Sequence, residues 1–234
     1  MVEYAPYPED TQPAVDSERY FRTSQLAPSQ PFVEAPVTLS EITGPLFTRE
    51  GVSPEGADLT AGGKALGQLM ILAGQIRDED ARPLPGVLVE AWQANASGKY
   101  RHPVDGRDAP LDPNFIGSGR AVTDAEGRYR FVTVKPGAYP VPNSGNWWRP
   151  PHIHLSIYGY AFMSRMITQM YFPGDPLNEL DSIFMSVPDT AARNRLVAQA
   201  DASLGLHEHA LGYGFDIVMR GRDQTPMEDE GSAA

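Results

Sequence analysis

The chain has 234 residues, enough for one substantial core without requiring two domains. Its 19 basic and 30 acidic residues give a formal charge of -11, which as a whole repels nucleic-acid phosphates and anionic membranes. There is no cysteine, which excludes disulfides, thiolate catalysis, iron-sulfur ligation and cysteine-zinc sites.

Taken in chain order, the first ten residues, MVEYAPYPED, have neither a basic start nor an apolar run, so no signal peptide is visible. No stretch has the apolar length needed to span a bilayer, and a cytoplasmic protein is predicted. Residues 1–60 are rich in proline and acidic residues, with only APVTLSEITGPLF suggesting something that packs. Such a segment does not hold a core of its own, which leaves either a disordered tail or an arm laid across a neighbour.

The texture changes at residue 66. LGQLMILAGQIRD and LPGVLVEAWQAN are branched apolar runs joined by the turn-rich EDARPLPG, and they read as neighbouring strands. GRAVTDAEGRYRFVTVKPG reads as a tight hairpin about the DAEG turn, with Tyr129, Phe131 and Thr133 on one face of its second strand. HIHLSIYGYAF, MITQMYF and GYGFDIVMRG supply three further strands, and TAARNRLVAQADASL is the one good helical stretch. Many short strands, Gly and Pro turns and little helix predict a mainly β protein: a β-sandwich of mixed antiparallel strands with long loops, spanning residues 61–222. Residues 223–234 read as an acidic, solvated tail.

Chemistry concentrates in WWRPPHIHLSIYG, residues 147–159. The two-residue period of a strand puts His152 and His154 on one face, a chelating arrangement, behind a backbone stiffened by Pro150 and Pro151. Arg149 adds a fixed positive charge and Trp147 with Trp148 can wall off solvent. The same pair would also serve as ordinary hydrogen-bonded strand residues, so further donors decide the reading. Three sets compete: His207 and His209 in GLHEHALG, as in a cupin-like barrel; His102; and the tyrosines Tyr100 and Tyr139, each in a loop beside a strand end. A phenol has a pKa near ~10, so only a strongly Lewis-acidic ion readily displaces its proton. Ferric iron does so, and two phenolates with one hydroxide would balance its charge.

WQANASGKYRH, DPNF at 112–115, GRAVTDAEGRYRF, VKPGAYPVPNSGNWWRPPHIHLSIYG, ITQMYFPGDP and GYGFDIVMRG together resemble the intradiol ring-cleaving dioxygenases. The similarity runs from about residue 38 to 222, and the lack of a long helical N-terminal dimerisation region favours the protocatechuate type within that family. The resemblance implies a non-haem Fe(III), with Tyr139 and His154 as axial ligands, Tyr100 and His152 as equatorial ones, and hydroxide in the fifth position. It also implies that Arg149 stabilises negative charge on the substrate ring and that Gln169 lies near the oxygen site. The substrates would be a small aromatic diol and O₂. The partner would be a homologous iron-free alpha subunit in an alpha-beta oligomer, with residues 1–60 as an arm contacting it. At Val141 the family usually has tryptophan. The competing readings are an intradiol dioxygenase for another catechol (catechol or hydroxyquinol), a cupin-like metal oxygenase using His207 or His209, and a non-catalytic β-sandwich binding module.

Overall fold

The computed structural model describes the backbone of residues 5–6 and 33–34, and residues 52–158 and 165–228. Most of the 1–60 arm, the GYAF end of the histidine strand and residues 229–234 therefore lie outside the described residues. The strands are β1 (Ala5–Pro6), β2 (Val33–Glu34), β3 (Leu69–Arg77), β4 (Leu88–Trp92), β5 (Ser118–Val122), β6 (Arg128–Val134) and β7 (Tyr139–Pro140). They continue with β8 (Trp148–Arg149), β9 (His152–Tyr158), β10 (Arg165–Tyr171), β11 (Gln199–Ala200), β12 (Leu211–Gly214) and β13 (Ile217–Val218). One sheet has the order β10-β9-β4-β5, antiparallel throughout. A second carries β11, β12, β3, β13 and β6, with β12 and β13 parallel to β3 and the other pairings antiparallel.

One apolar cluster joins the two sheets: Met70, Leu72 and Ile76 of β3 and Phe131 of β6 meet Val89 and Ala91 of β4 and Ile153, Leu155 and Ile157 of β9. The mainly β architecture with long loops and little helix is the one the strand pattern predicts. Each buried Ile or Leu contributes about 1.5–3 kcal/mol, so β9 is anchored firmly by its odd-numbered residues. The alternation then commits its even-numbered residues to the opposite face.

Several local readings are corrected. β3 and β4 are not neighbours but lie in different sheets, because their apolar faces pack against one another across the core instead of pairing edge to edge. The DAEG turn closes, with Gly127 N–H donating to Asp124 O at 3.0 Å, yet no hairpin follows: β5 pairs with β4, and β6 with β3. Gly127 has φ +71°, and a Cβ there would lie 2.8 Å from the Ile76 carbonyl oxygen, so the turn is pressed onto the end of β3 as the chain changes sheets. The helical stretch shrinks to Thr190–Asn194, capped by the Asp189 carboxylate on Ala192 N–H at 2.6 Å. Beyond it Leu196 and Ala198 bond the backbone of Tyr171 at 2.8 and 2.9 Å, and the edge of β10 wins over helix propensity.

The end of the chain also departs from the solvated tail. Thr225 and Glu228 are buried; Thr225 N–H donates to Val218 O at 3.0 Å, Thr168 Oγ1 to Pro226 O at 2.7 Å and Glu228 N–H to Ile167 O at 2.6 Å. β10 is the last strand of its sheet and leaves backbone groups unpaired, which this segment satisfies. Among the described residues, no helix is long and apolar enough to cross a membrane.

Candidate metal centre

His152 and His154 are both buried on the face of β9 that points away from Ile153 and Leu155. Their Nδ1 atoms are engaged: His152 Nδ1 lies 2.7 Å from Pro150 O, and His154 Nδ1 2.8 Å from Glu228 Oε2. A carbonyl and a carboxylate only accept, so each Nδ1 carries the proton and each Nε2 presents its lone pair. Trp92, opposite His154 in the β4–β9 ladder, stacks on its ring at 4.9 Å with planes 7° apart. Both imidazoles are therefore fixed in tautomer and in rotation.

The tyrosines arrive on two loops that touch through glycines. Asn95 organises the first, its side chain accepting from Ser97 and Lys99 N–H at 2.9 and 3.0 Å while its carbonyl takes Gly98 N–H. The same carbonyl accepts Gly137 N–H of the second loop at 3.0 Å. A Cβ on Gly137 would stand 2.5 Å from Ala96 O, and one on Gly98 would overlap Ala138 O. Only glycine permits this approach. Gly98 precedes Tyr100 by two residues and Gly137 precedes Tyr139 by two, so the contact sets the distance between the phenols, whose rings meet edge to face at 5.6 Å.

Both hydroxyls point at the imidazoles. Tyr100 Oη is 3.4 Å from His152 Nε2 and 3.2 Å from His154 Nε2, and Tyr139 Oη is 3.4 Å from His152 Nε2. Burial pushes the Tyr100 phenol well above its usual pKa, with Tyr139 adding to the effect; burial raises Tyr139 too, although Arg149 opposes it. Burial, then the charges of Arg149 and His154, hold His152 well below its usual value. Burial thus favours the neutral forms of Tyr100, Tyr139 and His152.

A polar network stands behind it. Arg149 pairs with Tyr139 in the β7–β8 ladder, and its Nε donates to Asp181 at 3.2 Å. Its Nη2 contacts Gln169 Oε1, and Tyr171 Oη at 3.1 Å. Burial works against the charge on Arg149, but Asp181 and Tyr171 outweigh it and its pKa rises further. Gln169 is buried, and its Nε2 has no hydrogen-bond partner. Trp147 Nε1 donates to Asp181 at 3.2 Å, while Trp148 is exposed, so only the first tryptophan is tied into the site. Arg107, held by Asp105, lies over the Tyr139 ring at 4.2 Å.

The structure thus brings Tyr100, Tyr139, His152 and His154 together and sets Arg149 and Gln169 beside them. His102, His207 and His209 are exposed, which removes the support for a cupin-like set. The sequence reading missed Glu228, Trp92, Asp181, Tyr171 and Arg107. Among the described residues, no three His, Cys, Asp or Glu side chains form a metal cluster. Donor separations of 3.2–3.4 Å suit neighbouring positions around one ion, since bonds of about 2.0–2.1 Å give roughly 3–3.5 Å between adjacent donors. Two phenols suit a hard, highly charged ion better than zinc.

Comparison with known proteins identifies the family. A family model described as Dioxygenase matches residues 42–221. The chain is 49% identical over 220 residues to the protocatechuate 3,4-dioxygenase beta chain of Burkholderia cepacia, covering 92% of this chain and 93% of that one. It is 30% identical over 204 residues to the alpha chain of the same enzyme from that organism, covering 82% and 96%. Among solved structures, the dioxygenase domain of a dioxygenase carbohydrate-binding protein fusion from Streptomyces sp. SirexAA-E superposes with a TM-score of 0.52 at 25% identity, covering 75% of this chain and 92% of that one. The chain belongs to the intradiol ring-cleavage dioxygenase family. Family membership implies an Fe(III) cofactor.

Proposed function

We propose that this chain is the iron-bearing beta subunit of a protocatechuate 3,4-dioxygenase, cleaving protocatechuate with O₂ between its hydroxyl-bearing carbons to 3-carboxy-cis,cis-muconate. Tyr100, Tyr139, His152 and His154 hold the Fe(III). The observation that carries this reading is the convergence of two phenols on two imidazole Nε2 atoms whose Nδ1 positions are already occupied. When bound, ferric iron supplies a Lewis acid that draws electron density from a chelated catecholate and so activates its ring toward O₂.

The remaining work falls to the chain itself. His152 and His154, neutral and locked, donate without adding charge. Tyr100, in a loop fastened through Asn95, is a permanent ligand. Tyr139 would hold the metal through an oxygen that can also accept one catechol proton, which makes it the chain's own base for the incoming diol. Arg149, held by Asp181, Gln169 and Tyr171, faces negative charge developing on the ring with a cation that needs no reorganisation. Gln169 offers the unpartnered Nε2–H donor beside it. Val141 takes the place of a bulkier side chain, which makes ring selectivity the property to measure.

The test is oxygen uptake and product mass with protocatechuate, catechol and hydroxyquinol under air. We expect the highest kcat/KM for protocatechuate, one O₂ consumed per ring opened, and a burgundy to brown protein from phenolate-to-iron charge transfer. A preference for catechol, cleavage outside the diol carbons, or a colourless iron-loaded protein would overturn the reading.

A further inference from the structure

We propose that Glu228 is a positioning residue for the metal centre, and that the C-terminal segment 224–228 is the latch that holds it against His154. The inference rests on the reading of His154 as an iron ligand. Glu228 is 74 residues from His154 in sequence, yet its Oε2 lies 2.8 Å from Nδ1, and its side chain is 1% exposed. A carboxylate is costly to bury unless it is paired and hydrogen-bonded. The His154 imidazole N–H is a partner here, and it becomes a better match as the opposite nitrogen shares its lone pair with a cation. The carboxylate thereby fixes the tautomer, aims Nε2 at the two phenols and strengthens its donation.

The latch has its own fastenings. Arg195 Nε donates to Gln224 O at 3.1 Å, Val218 N–H to Thr225 Oγ1 at 3.1 Å, Thr168 Oγ1 to Pro226 O at 2.7 Å and Glu228 N–H to Ile167 O at 2.6 Å. Ile167 and Thr168 lie in β10 just before Gln169, whose ladder partner is His154. The bond at Ile167, whose ladder partner Ser156 is two residues from His154, therefore sets Glu228 beside the imidazole it contacts. His152 has no such dependence, because Pro150, two residues away, supplies its acceptor. Of the two imidazoles, one is set locally and the other by the far end of the chain.

The experiment uses the full-length protein purified in its native assembly, with Glu228→Gln and Glu228→Ala variants. In iron-free protein, ¹⁵N NMR of the His154 ring reads the tautomer without reference to iron. We expect Nδ1–H in the parent and in Glu228→Gln, whose amide oxygen still accepts, and a tautomer mixture in Glu228→Ala. In iron-loaded protein we expect affinity about 10- to 100-fold weaker in Glu228→Ala, measured against a chelator, with Glu228→Gln between it and the parent. The charge-transfer band should move to longer wavelength as His154 donates less to iron. Parent-like tautomer, iron affinity and band in Glu228→Ala would overturn the inference. A parent protein without iron or colour would instead defeat the proposed function, and the tautomer measurement would separate the two failures.

Discussion

At the scale of single residues, four donors meet but their replacements differ in outcome. On the proposed ligand set, His152→Ala or His154→Ala would remove a ligand that nothing nearby replaces, so iron content should fall close to zero while far-UV circular dichroism keeps the β signature; wild-type iron occupancy would refute this. Tyr100→Phe should lose iron or most visible colour. Tyr139→Phe should keep iron and turn over roughly 10²-fold or more slowly, since the base for the incoming diol is gone. Arg107 offers a finer probe, because its guanidinium lies 4.2 Å from the centre of the Tyr139 ring. A cation there lowers the energy of phenolate electrons, so Arg107→Ala should shift the charge-transfer band to longer wavelength, and an unchanged spectrum would count against the stack. Arg149→Ala leaves buried Asp181 its Trp147 and Tyr171 donors but takes away its cation, and should cost up to about 3–5 kcal/mol of stability. The double variant Arg149→Ala/Asp181→Ala should recover stability in thermal unfolding yet not turnover, which separates the two roles of that cation. The histidine pair was legible because strand period alone places two residues on one face. Tyr100 and Tyr139 were legible as one of three competing donor sets, and only the resemblance chose among them, for loop geometry leaves no periodic trace. Glu228 was not legible at all, since nothing local distinguishes a latch carboxylate from the acids of a solvated tail.

At the scale of elements, the centre is assembled by loops that a rigid sandwich brings into register. The contact between Gly98 and Gly137 is the narrowest point, with the second loop's Cβ position 2.5 Å from Ala96 O. Gly137→Ala should therefore push the loops apart, lowering the unfolding temperature of the iron-free protein and weakening iron binding more than ten-fold; calorimetry with chelator titration would show both. The first loop has a second brace in Asp105, which accepts Tyr100 N–H at 2.9 Å and binds Arg107, while Lys99 Nζ bonds its carbonyl at 2.6 Å. Burial alone would raise the Asp105 pKa, but Arg107 and the backbone N–H groups overcome it and lower it to about 2. A depressed carboxylate stabilises the fold above its unfolded pKa of about 3.9 and loses that contribution as pH falls toward the folded value. Acid titration should accordingly show Asp105→Asn closing part of its stability gap to the parent between about pH 3.9 and about 2. Strands were readable here and their pairings were not. β3 and β4 were recognised by apolar content, but content does not reveal whether two faces pack across a core or share an edge. The DAEG turn was likewise found, although the tertiary demand of two sheets overrode the hairpin it suggested.

At the scale of the whole molecule, an acidic chain must receive an anionic substrate. The formal charge is -11, and protocatechuate carries a carboxylate. The two arginines at the centre are committed, Arg149 to Asp181 and Arg107 to Asp105, and Lys99 bonds the carbonyls of Asp105 and Arg107. With these three described cations engaged, we propose that the cation for the substrate carboxylate comes from the related alpha chain, at a site between the two. This predicts a split between substrates. Expressed alone, the chain should turn over protocatechuate poorly and lose its preference for it over catechol, which has no carboxylate to hold. Co-expression with the alpha chain should restore a large complex by sedimentation and raise kcat/KM for protocatechuate far more than for catechol. Within that complex, raising ionic strength should increase KM for protocatechuate and leave catechol little changed, because screening acts on the charge-dependent contact alone. A homo-oligomer of this chain with full activity and undiminished preference for protocatechuate would show that the missing cation lies within the chain itself.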